Sequence, residues 1–242
     1  PSILGALLAA LATFWGGQAL IGRRAAFVGA ALLAASLLIS TEGMIAKTDA
    51  MLCGLTTLAM AALARLYGKL GQEASLPFLR AMTLVFWAAL AGAVLIKGPI
   101  APLVAGSCLL MLALWRRKGD WMRILLWWPA IALAALIVLP WLIAIGLATH
   151  GQFFADSIGG DMGRKLGGGD EGHAGLPGYH ALLVWFLLFP ATIALPGALR
   201  QAWRTIRAPR DSVDHNATAF LIAWAAPTWL VSSISTRSTA FR

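Results

Sequence analysis

The chain reads as long apolar stretches separated by short polar ones. Eight apolar segments stand out, at approximately residues 3–20, 25–41, 50–67, 81–96, 100–115, 124–147, 180–198 and 217–233. Most approach the roughly 20 residues that a helix needs to cross the hydrocarbon core of a bilayer. A helix is also the form that satisfies its own backbone N–H and C=O groups there. The pattern predicts an all-α, polytopic transmembrane bundle with about eight spans, organised as one domain over 1–242. The sixth segment carries Pro129 and Pro140, which predicts a kink. Composition agrees: 60% of residues are apolar and 12% charged, against about 45–50% and 25% in soluble domains.

The formal net charge of +9 raises the question of nucleic acid. Position answers it. The basic residues fall between apolar runs and form neither a tail nor a stripe, so nucleic-acid binding is excluded. Alternate connections hold Arg23 and Arg24; Arg65, Lys69 and Arg80; Arg116, Arg117, Lys118 and Arg123; and Arg200, Arg204, Arg207 and Arg210. Those thirteen basic residues face only four in the other connections, Lys47, Lys97, Arg164 and Lys165. An excess of Lys and Arg marks cytoplasmic loops, and Trp115, Trp121, Trp127, Trp128 and Trp203 flank the same set as an interfacial belt. The other connections are therefore expected outside. The longest of them is a loop at 148–179. Cys53 and Cys108 both lie inside apolar segments, where they read as small buried hydrophobes.

Three stretches on the expected outer side keep ionisable groups at the membrane boundary. "STEGMIAKTDA" carries Glu42, Lys47 and Asp49, "LIKGPI" carries Lys97, and "GGDEGHAGLPGYH" carries Asp170, Glu171 and His173 ahead of Tyr179. A charge at the bilayer centre costs roughly 2.5–3.5 kcal/mol on insertion scales. Lys97 reads either as a snorkelling anchor or as a functional cation. Lys47 and Asp49 read as a hydrated loop or as part of a site. Glu171 and His173 read as a loop cap or as groups converging on a cation, a phosphate-bearing substrate or a proton transfer. Two ligands two residues apart are one short of the third that a metal site needs. The glycine-rich "GDMGRKLGGGD" lacks a phosphate-loop Lys-Ser/Thr and follows no strand, so it reads as a loop and not a nucleotide cradle.

Four stretches in this order carry a resemblance: "GRRAAFVGAALLAASLLISTEGMIAKTDAMLCGLTTLAM", "LIKGPIAPLVAG", the run from "LPWLIAI" through "GDEGHAGLPGYH" to "LPGAL", and "FLIAWAAPTWLV". Together they resemble the bacterial aminoarabinose transferase-like branch of the protein O-mannosyltransferase superfamily. The resemblance implies a membrane glycosyltransferase of the GT-C type. Such enzymes take a sugar from a polyprenyl-phosphate carrier and pass it to an acceptor at the outer face of the cytoplasmic membrane. By family pattern Asp49 of "KTDA" matches a functional aspartate. Lys97 of "KGP" matches a lysine that pairs with a carboxylate of the first outer loop. His173, with "PGY" at Pro177 to Tyr179, matches a large-loop motif that in some relatives helps hold a metal.

These matches set the expectations. Asp49, Lys97 and His173 are candidate catalytic residues, and Lys47, Glu171 and Tyr179 candidate substrate contacts. Glu171 and His173 are candidate ligands of a divalent metal. The expected partners are a polyprenyl-phosphate-linked sugar, a lipid or glycan acceptor and membrane lipids, in a bacterial inner membrane with 148–179 on the periplasmic side. The opening "PSILGALLAALATFW" resembles the family's second span, and "SSISTRSTAFR" departs from the family after Val231. Both ends are therefore expected to be cuts, and the chain alone is expected to transfer no sugar. The rival reading is a transporter or flippase-like permease, which predicts charges near span midpoints and paired broken helices.

Overall fold

Small residues decide how the first helices meet. In the computed structural model α1 (Ser2–Ile21) buries Ser2, Gly5, Ala9, Ala12, Gly16 and Leu20. Their spacing of three to four residues makes one stripe along a helix. That stripe packs on α4 (Asp49–Tyr67) so closely that a β-carbon on Gly54 would lie 2.5 Å from the Gly5 carbonyl oxygen, and one on Gly16 would lie 2.6 Å from the Ala61 β-carbon. Lipid offers no hydrophobic drive to pair one apolar helix with another. Helices in a bilayer gain instead from close backbone approach between small side chains. Gly5 meets Ala50 and Gly16 meets Ala61, so α1 and α4 run parallel.

The structure describes residues 1–45, 47–70, 72–116, 120–150, 152, 185–207 and 213–235, with the backbone alone at 116, 213–214 and 228–235. Among them every regular element is helical. Between α1 and α4 lie α2 (Arg23–Ala34) and α3 (Leu37–Met44), bent by 53° to one another. The expected span 25–41 is thus broken at Ala35 and Ser36. Ser36 Oγ donates to the Leu33 carbonyl at 2.7 Å and accepts from Ile39 N–H at 3.4 Å, closing one helix and capping the next. The Leu37 N–H, which the break frees, donates to the Phe189 carbonyl at 3.2 Å.

After α4 come α5 (Leu76–Lys97), α6 (Ile100–Arg116), a 3₁₀ segment at Asp120–Leu126 and α7 (Trp128–Ala148). Pro129 sits in the first turn of α7, where its missing N–H costs nothing, so it starts the helix. Only Pro140 lies inside. The expected span 180–198 differs in its described part. A cis Phe189–Pro190 bond and a 3₁₀ turn at Ala191–Ala194 precede α8 (Leu195–Ile206). Pro190 has no N–H with which to continue a preceding helix, and Pro196 occupies the first turn of the next. Last comes α9 (Val213–Ser235), packed on α6.

Among the described residues four helices, α1, α4, α5 and α7, are long and apolar enough to cross a membrane, or five with the bent α2–α3 pair. α6 is apolar but shorter. Of the eight segments marked by hydropathy, 25–41 is bent at Ser36, 100–115 gives the shorter α6, and 180–198 and 217–233 are described only in part. The core lies where α4, α5, α6 and α9 meet, around Met60, Leu63, Tyr67, Phe86, Leu112 and Phe220. α7 stands at the periphery, with Leu136 71% and Leu147 73% exposed; on a membrane span such a face belongs to lipid.

Candidate active site

α4 begins and α5 ends at the same end of the bundle, and that coincidence builds the site. Asp49 is in the first turn of α4 and Lys97 in the last turn of α5. Each charge complements the local helix dipole, an anion at an N-terminus and a cation at a C-terminus. Lys97 Nζ donates to Asp49 Oδ1 at 2.5 Å across 48 residues of sequence. The two side chains are 43% and 41% exposed, so both remain open to a ligand. Lys97 keeps two of its three donors and Asp49 its second oxygen for that purpose.

The "KGP" sequence sets where the lysine stands. Gly98 takes φ +67°, and its N–H closes α5 on the Val94 carbonyl at 2.8 Å. Glycine adopts that left-handed conformation without the β-carbon clash that other residues meet. Pro99 then opens α6, its carbonyl accepting from Leu103 N–H at 3.0 Å. The reversal takes three residues and leaves Lys97 at the mouth between two helices.

Two further groups join the same end. Ser2 Oγ donates to the Lys47 carbonyl at 2.9 Å, tying the start of α1 to the approach to Asp49. Glu42, on α3, has Oε2 enclosed with no hydrogen-bond partner among the described residues. The sequence marks Glu42 as a charge of "STEGMIAKTDA" without a role, whereas nothing in the sequence singles out Ser2. Lys47 is exposed, and its backbone carries the contact. Glu171, His173 and Tyr179 lie outside the described residues, as does nearly all of the 148–179 loop. Among the described residues no three His, Cys, Asp or Glu side chains form a metal-holding group.

A cavity of about 530 Å³ opens between α5, α6, α7 and the 3₁₀ segment. Val94 and Pro102 line it, one helical turn from Lys97 and Pro99, and Phe86, Leu90, Leu109 and Val138 continue it deeper. Its lining is apolar except near Arg123. It forms a greasy slot along α5 and α6 whose lining comes within one helical turn of Lys97 and includes neither Asp49 nor Lys97.

The opposite end has another chemistry. Tyr67 stacks edge-on against Trp121, with ring centroids 5.4 Å apart, and is equally close to Phe220. Arg65 lies 4.8 Å over the Trp15 ring and Arg80 5.2 Å over Trp127. Residues 1–151 match the sequence model of the family described as dolichyl-phosphate-mannose-protein mannosyltransferase. The chain belongs to that family. Two solved structures share the fold of this mannosyltransferase-family chain. ArnT from Cupriavidus metallidurans in the apo state is 19% identical with a TM-score of 0.75, covering 98% of this chain and 43% of that one. The same protein bound to undecaprenyl phosphate is 22% identical, again at 0.75, covering 98% and 44%. The chain thus spans less than half the length of the structures it matches. No curated protein sequence matches it. With the family and these structures, the all-α, GT-C-type fold and the multi-pass membrane character stand as expected.

Proposed function

We propose that the protein is an integral-membrane glycosyltransferase that takes its sugar from a polyprenyl-phosphate carrier and passes it to a lipid, glycan or protein acceptor. The observation that carries this reading is the half-open Asp49–Lys97 pair, with an apolar slot whose lining comes within one turn of Lys97 along α5. A prenyl-linked phosphate sugar needs both features: a cation for the phosphate and a dry groove for the first isoprene units. Lys97 would bind phosphate oxygens with the donors that Asp49 leaves free, stabilising the negative charge that grows as the carrier departs. Asp49 would fix the ammonium in place and accept a hydrogen bond from the incoming hydroxyl. His173, Glu171, Tyr179 and Lys47 enter this reading on the family resemblance.

The site faces outward in the same proposal. The described members of the basic set, Arg23, Arg24, Arg65, Lys69, Arg80 and Arg123 among them, gather at the Tyr67 end, and excess Lys and Arg mark the cytoplasmic side. Single cysteines at Lys47 and Asp120, in a background without Cys53 and Cys108, should label oppositely. The first should react with an impermeant reagent in whole cells, and the second only after lysis. Labelling of both from outside would put the two positions on one side and overturn this topology.

Transfer activity tests the chemistry in the full-length protein. Asp49→Asn and Lys97→Ala should each lower turnover about 10²–10⁴-fold, the usual loss for a positioned acid–base or charged group. Expression and membrane insertion should not change, because apolar length sets insertion and a half-exposed ion pair contributes only about 0–1 kcal/mol to stability. Full activity in both variants would sink the proposal.

A further inference from the structure

Among the described helices α8 is the one that divides cleanly into an apolar and a basic side. Leu195, Leu199, Trp203 and Ile206 follow one another at steps of three and four residues, and Arg200, Arg204 and Arg207 follow at the same steps on the neighbouring stripe. Only one edge meets the rest of the protein. Thr205 is buried, and its carbonyl accepts from His215 Nδ1 on α9 at 3.1 Å. The apolar side is left open: Leu199 is 61% and Trp203 59% exposed, and Ile193, just ahead of the helix, is 72% exposed. The basic side is open too.

The border between the two sides is itself built. The Arg207 guanidinium lies 4.3 Å over the Trp203 ring, which places a cation and an amphipathic aromatic at one level. Tryptophan prefers the headgroup depth of a bilayer, and a helix with an apolar face and an arginine face lies in the interface plane. Water would meet Leu199 and Trp203 at a cost of roughly 25 cal/mol for each Å² left wet. The Thr205–His215 contact fixes the helix at the Tyr67 end, where the other described cations also gather.

We infer that α8 is a lipid-binding element, seated at the membrane interface with Leu199 and Trp203 in the acyl boundary and Arg200, Arg204 and Arg207 on the phosphates of anionic phospholipids. Charge complementarity selects this occupant. Three arginines on one stripe suit a phosphate-bearing leaflet, whereas a second protein surface would have to supply three matching carboxylates. The site is separate from the Asp49–Lys97 pair and lies at the other end of the bundle.

The test uses the full-length protein in nanodiscs of phosphatidylcholine, with or without phosphatidylglycerol. Nitroxide labels are placed by Leu199→Cys and Arg204→Cys in the background without Cys53 and Cys108. The label at 199 should collide with oxygen and be shielded from a water-soluble nickel chelate, and the label at 204 should do the reverse. In micelles, phosphatidylglycerol is titrated and lipid-bound protein counted by intact mass. Its dissociation constant should rise about fivefold for each arginine changed to glutamine. Arg200→Lys, Arg204→Lys and Arg207→Lys together should retain most of the affinity, which separates lost charge from lost folding. Unchanged phosphatidylglycerol binding after all three glutamine changes would overturn the inference. So would a label at 199 reached by neither oxygen nor nickel, the result expected if protein covers that face.

Discussion

The two ends of the bundle hold charge in opposite ways. At one, Asp49 and Lys97 stand 48 residues apart and meet at 2.5 Å because two different helices end there. At the other, Asp120 and Arg123 are neighbours within one turn, 3.4 Å apart and 80% and 81% exposed. Arg65, Arg80 and Arg207 at that end lie over Trp15, Trp127 and Trp203. The first arrangement is costly to assemble: it needs two helix termini brought level and a glycine in the left-handed region, and it leaves two polar groups half-open to a ligand. The second combines an exposed pair within one turn with arginine stems laid over aromatic rings, locally for Arg207 on Trp203 and between helices for Arg65 on Trp15 and Arg80 on Trp127. An opposite-charge pair left half-open to a ligand points to chemistry; arginines laid over tryptophans point to anchoring.

That contrast is breakable, and the largest effect should come from combining Asp49→Asn with Lys97→Ala. If the two act as one unit, the double variant should lose no more turnover than the worse single, about 10²–10⁴ in all. Losses that multiply would mean two independent roles and would dissolve the pair as a unit. Asp120→Asn, the matching change at the other end, should stay within about twofold, since its partner Arg123 borders the slot and not the Asp49–Lys97 pair.

For stability the ranking of the ends reverses. Tyr67 is 1% exposed and wedged between Trp121 and Phe220. Tyr67→Ala should cost about 3–5 kcal/mol, the range for removing a large buried ring, read as denaturant-induced unfolding in detergent. Asp49→Asn should cost no more than about 1 kcal/mol in the same measurement. Equal losses would mean that the ion pair is structural.

A smaller effect should come from the interface that brings Asp49 to its place. The Gly54 position leaves 2.5 Å between an added β-carbon and the Gly5 carbonyl oxygen, so Gly54→Ala should destabilise by about 1–3 kcal/mol. At Gly29 and Gly106 nothing lies within 4 Å. Alanine there should be neutral or should gain up to about 1 kcal/mol of helix propensity. The smallest effect of all should be Asp120→Asn on stability, below about 0.5 kcal/mol for an exposed pair within one turn.

What the sequence determined by itself was whatever depends on length and local chemistry. Apolar runs of near-spanning length fixed an all-helical membrane protein, because backbone polar groups in lipid must bond within their own segment. The sorting of thirteen basic residues against four separated two ends, and the structure gathers the described members of the larger set at the Tyr67 end. Gly98 and Pro99 of "KGP" marked a reversal, and its physical cause is local as well. Family resemblance drew attention to Asp49 and Lys97 one at a time. Only the tertiary structure joined them, since their meeting depends on α4 and α5 running antiparallel and ending level. It also decided which face of α1 is buried, a matter of small-residue fit that hydropathy does not register. Hydropathy likewise passed over the breaks at Ser36 and Pro190, because it sums side chains and is blind to where a backbone N–H finds its partner. Ser2 reached the site end through packing, its Oγ bonded to the Lys47 carbonyl, which no spacing in the chain encodes.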